Sequence, residues 1–233
     1  MRKILVGLLL VFGISSYGQS VTGTSGLIHI PSARMLEDGQ LVLGAAYIPK
    51  PYFQRYGRSV NPGLNTYITY GILPYVEVMF RYTHELNEPT MKNGLPNYFP
   101  DRMFSIRFRI INEKQIIPSI VIGFEDISAL IGNTCLGCSL YNKNYLVISK
   151  SIDLFEGVID LSLGHYFDLH KSLNNPIGLF YGGEFRHKKF SILVEFDSEK
   201  INTGVKYNLF PKINIMYGSF GLEKNSLTLN YIF

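Results

Sequence analysis

NSLTLNYIF, residues 225–233, decides how the rest of the chain is read. Leu227, Leu229, Tyr231 and Phe233 share one parity, and Ser226, Thr228, Asn230 and Ile232 share the other. That period of two predicts a strand with one apolar and one mostly polar face. In a soluble domain a free apolar strand would be an edge that invites aggregation. In a lipid-embedded barrel the same strand has outward residues in hydrocarbon and inward residues in water, and its edge pairs with the first strand. The rest of the chain must then supply more strands of this kind.

Composition agrees. The 233 residues are 46% hydrophobic, yet no apolar run beyond residue 20 approaches the roughly 18 residues of a membrane helix. Apolar residues that alternate with polar ones account for that combination. The 16 Tyr and 16 Phe, with no Trp, suit aromatic girdles at two membrane interfaces.

Residues 1–18 read as a secretory leader: Arg2 and Lys3 are the basic start, 4–14 the apolar core, and Ser15, Ser16, Tyr17 and Gly18 the small-residue exit. Cleavage is expected after Gly18, leaving Gln19 first. No Cys lies near that point, which argues against lipoprotein processing. Of 22 Lys and Arg, loss of Arg2 and Lys3 leaves 20 against 18 Asp and Glu. A chain so balanced is not expected to bind nucleic acid. The two cysteines, Cys135 and Cys138, have no second pair to complete a zinc site, so no metal is expected. In an oxidising compartment they suit a local disulfide or two free thiols.

Residues 19–38 lack alternation; they either lie in the periplasm or tuck into the lumen as a small plug. From residue 39 about twelve strands follow. They are 40–48, 64–73, 75–85, 102–112, 116–126, 144–151, 155–167, 176–186, 190–197, 201–209, 212–219 and 225–233. Every even-to-odd join is short, whereas all the long connections fall between odd and even strands. Transmembrane barrels show this asymmetry, with short periplasmic turns and longer outer loops, and a soluble β-sandwich has no reason for it. Strands of roughly nine to eleven residues also span a bilayer when tilted. The expected fold is therefore all-β: a transmembrane antiparallel up-and-down barrel over 39–233.

Parity sorts the side chains. Val76, Val78, Phe80 and Tyr82 oppose Glu77, Met79, Arg81 and Thr83; Phe104, Ile106, Phe108 and Ile110 oppose Ser105, Arg107 and Arg109. The predicted lumen carries both signs: Glu77, Arg81, Arg107, Arg109, Glu125, Lys150, Asp160, Glu184, Arg186, Glu195, Asp197 and Lys206. Facing lipid near the midplane, an Arg or Lys would cost about 2–4 kcal/mol. Two readings stand: a salt-bridged network that fills a narrow barrel, or a polar conduit whose arginines meet an anionic or hydroxyl-rich solute.

GLIHIPSARMLEDGQLVLG (26–44) resembles the opening of the YjbH-like outer-membrane proteins associated with exopolysaccharide production, at Gly26, Pro31, Ser32, Ala33, Arg34 and Gly39. DRMFSIRFRI (101–110), IPSIVIGFED (117–126) and NYLVISK (144–150) resemble that family's next strands. Members are usually longer, with a second barrel-like half, and this chain has room for one barrel. The resemblance implies an outer-membrane barrel of a Gram-negative bacterium, linked to secretion or modification of surface polysaccharide, without catalytic residues to carry over. The closing residues Leu229, Tyr231 and Phe233 similarly resemble the signal read by the barrel-assembly machinery. Partners implied are outer-membrane lipid, that machinery, polysaccharide and periplasmic export proteins.

An enzyme is not expected, and no cofactor. Asp160, Ser162 and His165 are close in sequence, but Ser162 and His165 differ by an odd number and project to opposite faces. The competing readings are a small-solute porin and a surface adhesin that uses the loops beginning at Pro49, Leu86 and Ile127.

Overall fold

The computed structural model describes residues 18–50, 62–86, 101–127, 143–167 and 177–233. Twelve strands close into one antiparallel barrel, each paired with its sequence neighbours. They are β1 (Leu41–Ile48), β2 (Gly63–Ile72), β3 (Val76–Glu85), β4 (Asp101–Ile111), β5 (Ser119–Glu125), β6 (Lys143–Leu154), β7 (Gly157–Phe167), β8 (Gly178–His187), β9 (Phe190–Phe196), β10 (Ile201–Phe210), β11 (Ile213–Phe220) and β12 (Lys224–Ile232). Closure comes from β12 against β1, in a register running from Val42 opposite Ile232 to Tyr47 opposite Leu227. No edge strand is left, so each strand is paired on both sides.

The alternation seen in sequence is the barrel's inside and outside. Leu227, Leu229, Tyr231 and Phe233 are exposed on the outer wall, while Ser226, Thr228 and Asn230 are buried within. Outward Phe80, Phe104, Leu161, Leu163, Ile192, Val194 and Val205 continue the apolar surface around the barrel.

Two boundaries differ from expectation by three residues, and the others lie within two. β5 begins at Ser119, not at residue 116, because Pro118 has no N–H to give the ladder; Ile116 stands exposed in the preceding turn. β6 runs on to Leu154, which pairs with Gly157 around a Phe155–Glu156 turn. The expected turn at residues 152–154 is strand instead, since Ile152 and Ile159 continue the pairing.

Residues 18–36 occupy the lumen, and Glu37 and Asp38 are exposed where the chain leaves it for β1. Val21, Leu27, Ile28, Ile30, Ala33 and Met35 are buried there against inward Ala46, Tyr67, Met79, Met103, Val121, Tyr145, Phe180, Leu193 and Met216, and Leu36 packs with Val42 and Ile232. Of the two locations left open by the sequence, the structure has the plug.

Candidate functional site

The plug has little regular structure of its own. Two isolated bridges, Gln19 with Ser25 and Gly26 with Pro31, fold it into short loops. Backbone bonds from Ser20 N to Thr24 O (2.9 Å), Val21 N to Ile28 O (2.9 Å) and Leu27 N to Ile30 O (3.0 Å) tie those loops together. A segment this irregular, buried in a barrel, must find partners for its other backbone groups on the wall. The wall's charged side chains provide them.

Glu195 on β9 accepts from three successive backbone N–H groups of one plug turn: Ile28 (2.9 Å), His29 (2.8 Å) and Ile30 (3.3 Å). Asn202 Nδ2 on β10 donates to the same carboxylate at 2.9 Å and holds it in place. Glu77 on β3 accepts from Ser25 N (3.1 Å), Ser25 Oγ (2.6 Å) and Leu36 N (3.0 Å), so it grips the plug at two places. Arg107 on β4 pairs with Glu77 at 2.8 Å and donates to the carbonyls of Ser25 (2.9 Å), Arg34 (3.2 Å) and Ser32. One buried ion pair thus satisfies both donors and acceptors of the plug. A buried pair is tolerable only when its remaining valences are filled in this way.

Lesser contacts surround these posts. Ser149 Oγ accepts from Ala33 N (2.7 Å), Ser119 Oγ donates to Ala33 O (3.1 Å), Asn65 Nδ2 to Val21 O (2.8 Å) and Thr69 Oγ1 to Gly23 O (2.6 Å). Thr24 Oγ1 donates to Glu125 at 3.3 Å. Plug Arg34 meets Asp160 and Ser151, and Asp160 also pairs with Arg186 at 2.6 Å. Ile28 presses on β10 and β11 where the wall is glycine: a Cβ on Gly218 would lie 2.8 Å from Ile28 Cγ2, and one on Gly204 3.0 Å from Cδ1. Only glycine leaves that space.

The loop end of the lumen carries a second group. Lys143 Nζ donates to His29 Nε2 at 2.8 Å, which leaves the proton on Nδ1 to be donated to Asp197 at 3.2 Å. Asp197, in the β9–β10 connection, also accepts from Asn202 Nδ2 (2.9 Å) and Lys200 N (2.9 Å). Burial pushes its carboxyl up, but these hydrogen bonds, that from the imidazole first among them, outweigh that and hold it well below the usual carboxylate range.

Nine of the expected lumen residues face inward and are buried: Glu77, Arg81, Arg107, Glu125, Asp160, Glu184, Glu195, Asp197 and Lys206. Arg186 also points in, toward Asp160. Arg109 sits at the turn end, half-buried, where it donates to Pro74 O and Asn112. Lys150 is a correction. It shares its parity with exposed Leu146 and Ile148, and its ammonium lies outside the lumen at the turn end, on Glu113 (3.1 Å) and Lys114 O (2.7 Å). Both parities of β6 are apolar, so one charge misassigned the inward face. Inward β6 is Tyr145, Val147 and Ser149; Tyr145 packs edge-on to Tyr166 and Phe180, an interior aromatic cluster that composition could not separate from girdle residues. Cys135 and Cys138 lie outside the described residues. Among the described residues no group of three His, Cys, Asp or Glu is placed to hold a metal.

Residues 18–191 match the family described as exopolysaccharide biosynthesis protein YbjH. The chain belongs to this family. Among its curated relatives is the "uncharacterized lipoprotein YjbH" of Escherichia coli strain K12, 28% identical over 193 residues that cover 76% of this chain and 24% of the relative. The chain therefore spans about a quarter of that YjbH protein's length. Among solved structures, an outer membrane channel from Pseudomonas putida F1 aligns over 88% of this chain and 98% of its own, at 11% identity and a TM-score of 0.42. The matched YbjH region takes in the whole plug and β1 through β8.

Proposed function

We propose that the protein is a non-enzymatic barrel of the Gram-negative outer membrane that takes part in secretion or assembly of surface exopolysaccharide. The apolar outer wall supports the membrane setting, since a soluble protein rarely exposes apolar side chains over so continuous a surface. Family membership supports the polysaccharide role. The observation that carries the reading is the plug. A barrel of twelve strands is wide enough to need filling, and here a segment of the same chain fills it, bonded to the wall through the residues that would otherwise line a conduit. Such an arrangement suits a component that is closed at rest, holds a partner or opens when the plug moves, better than a constantly open porin.

Deleting the gene and measuring surface polysaccharide tests the role: loss or altered polymer length is expected, and unchanged polymer would remove it. Fractionation with outer membranes and heat-modifiable gel migration test the setting; a freely soluble periplasmic product would end it. The second reading, a small-solute channel, is favoured only if the purified barrel conducts in planar bilayers without any change to the plug.

A further inference from the structure

Gln19 is fully buried inside the barrel, and neither its side-chain Oε1 nor its Nε2 has a hydrogen-bond partner among the described residues. An amide buried without partners has lost its water and gained nothing in return. Gly18, just before it, lies against the end of Lys206: a Cβ built on Gly18 would be 2.7 Å from Nζ. Across one peptide unit, that places the Gln19 nitrogen within about 6 Å of the ammonium. Glu184, which lines the same cleft, is already engaged with Lys206 at 3.3 Å. A chain beginning at Gln19 would put a second ammonium in the lumen, beside a like charge and facing a carboxylate already in use. Burial disfavours such a charge strongly.

We propose that the mature chain begins at residue 19 as pyroglutamate, so that the barrel is built around an uncharged terminus. This rests on reading residues 1–18 as a leader removed after Gly18. In the step itself the α-amino nitrogen attacks the Gln19 side-chain carbon Cδ. The N–Cδ bond forms, the Cδ–Nε2 bond breaks, and Nε2 departs as ammonia with a proton from the amine. Nothing is oxidised or reduced, and no co-reactant is needed. One reaction removes both the α charge and the unpartnered Nε2. Loss of Gly18 also frees the space beside Lys206.

Intact mass of the barrel from the outer-membrane fraction, with the mass of the 19–34 peptide released at Arg34, tests this. Expected is a start at Gln19 lighter by one ammonia, in a folded protein that resists pyroglutamyl aminopeptidase until it is denatured. A different first residue would overturn the leader reading and the proposal with it. A Gln19 start of unmodified mass would overturn cyclisation alone. Gln19→Asn, which cannot close the five-membered lactam and keeps its amine, is expected to unfold at a lower temperature in heat-modifiable migration. An unchanged temperature, with an Asn start confirmed by mass, would show that the lumen accepts the charge and would remove the reason for cyclisation.

Discussion

At the residue scale the wall carboxylates are anchors whose loss has a direction. Glu195 bonds three plug N–H groups, so Glu195→Ala leaves those donors buried and unpaired, at roughly 1–3 kcal/mol for each group that finds no water. The variant barrel is expected to assemble but to admit current in planar bilayers; a silent variant would mean that Glu195 does not hold the plug. Glu77→Ala strands Arg107 in the interior, and breaking a buried pair from one side costs about 3–5 kcal/mol. Its unfolding temperature should drop more than that of Glu113→Ala, which touches only the rim pair with Lys150. Asp197 supplies a pH test. Its folded carboxyl titrates below its unfolded value of about 3.9. The stability it contributes is present above about pH 4 and is lost as pH falls below that. Asp197→Asn should flatten acid unfolding in that window, and an unaltered acid limb would exclude the contribution.

At the element scale, what could be read in advance depended on contrast between the two parities of a strand. β3, β4, β7 and β12 set charged or hydroxyl residues against apolar ones, and their inward faces were legible from the residues alone. β6 offered no such contrast: Tyr145 and Val147 are as apolar as Leu146 and Ile148, and Lys150 pointed the wrong way. The plug was legible as a segment without alternation but not as a lumen filler. Its bonds run from backbone groups, which every sequence has, to wall residues 40–170 positions away, which no local pattern reports. Ile28 against Gly204 and Gly218 is the sharpest of these fits. Gly218→Leu removes the space Ile28 occupies, and displacement of the plug turn is expected, read as protease sensitivity of residues 27–30 in an otherwise folded barrel. Full protection would show that the wall yields instead.

For the whole molecule, closure follows from β12 finding β1, and it can be fixed covalently. Ala45 and Leu229 face each other across that seam on the outer wall. Opposed residues of antiparallel strands have Cα atoms roughly 4.5–5.5 Å apart, within disulfide reach. A45C with L229C is therefore expected to cross-link on oxidation and to raise the temperature at which the folded band is lost. Failure to cross-link would dispute the register. The polar lumen, the apolar exterior and the closed seam together give a tube; the plug makes it a shut one. Planar-bilayer conductance of the intact protein against a variant lacking residues 20–36 tests that claim most directly. Silence is expected from the intact barrel and steady current from the variant; equal conductance from both would contradict a plug that shuts the tube.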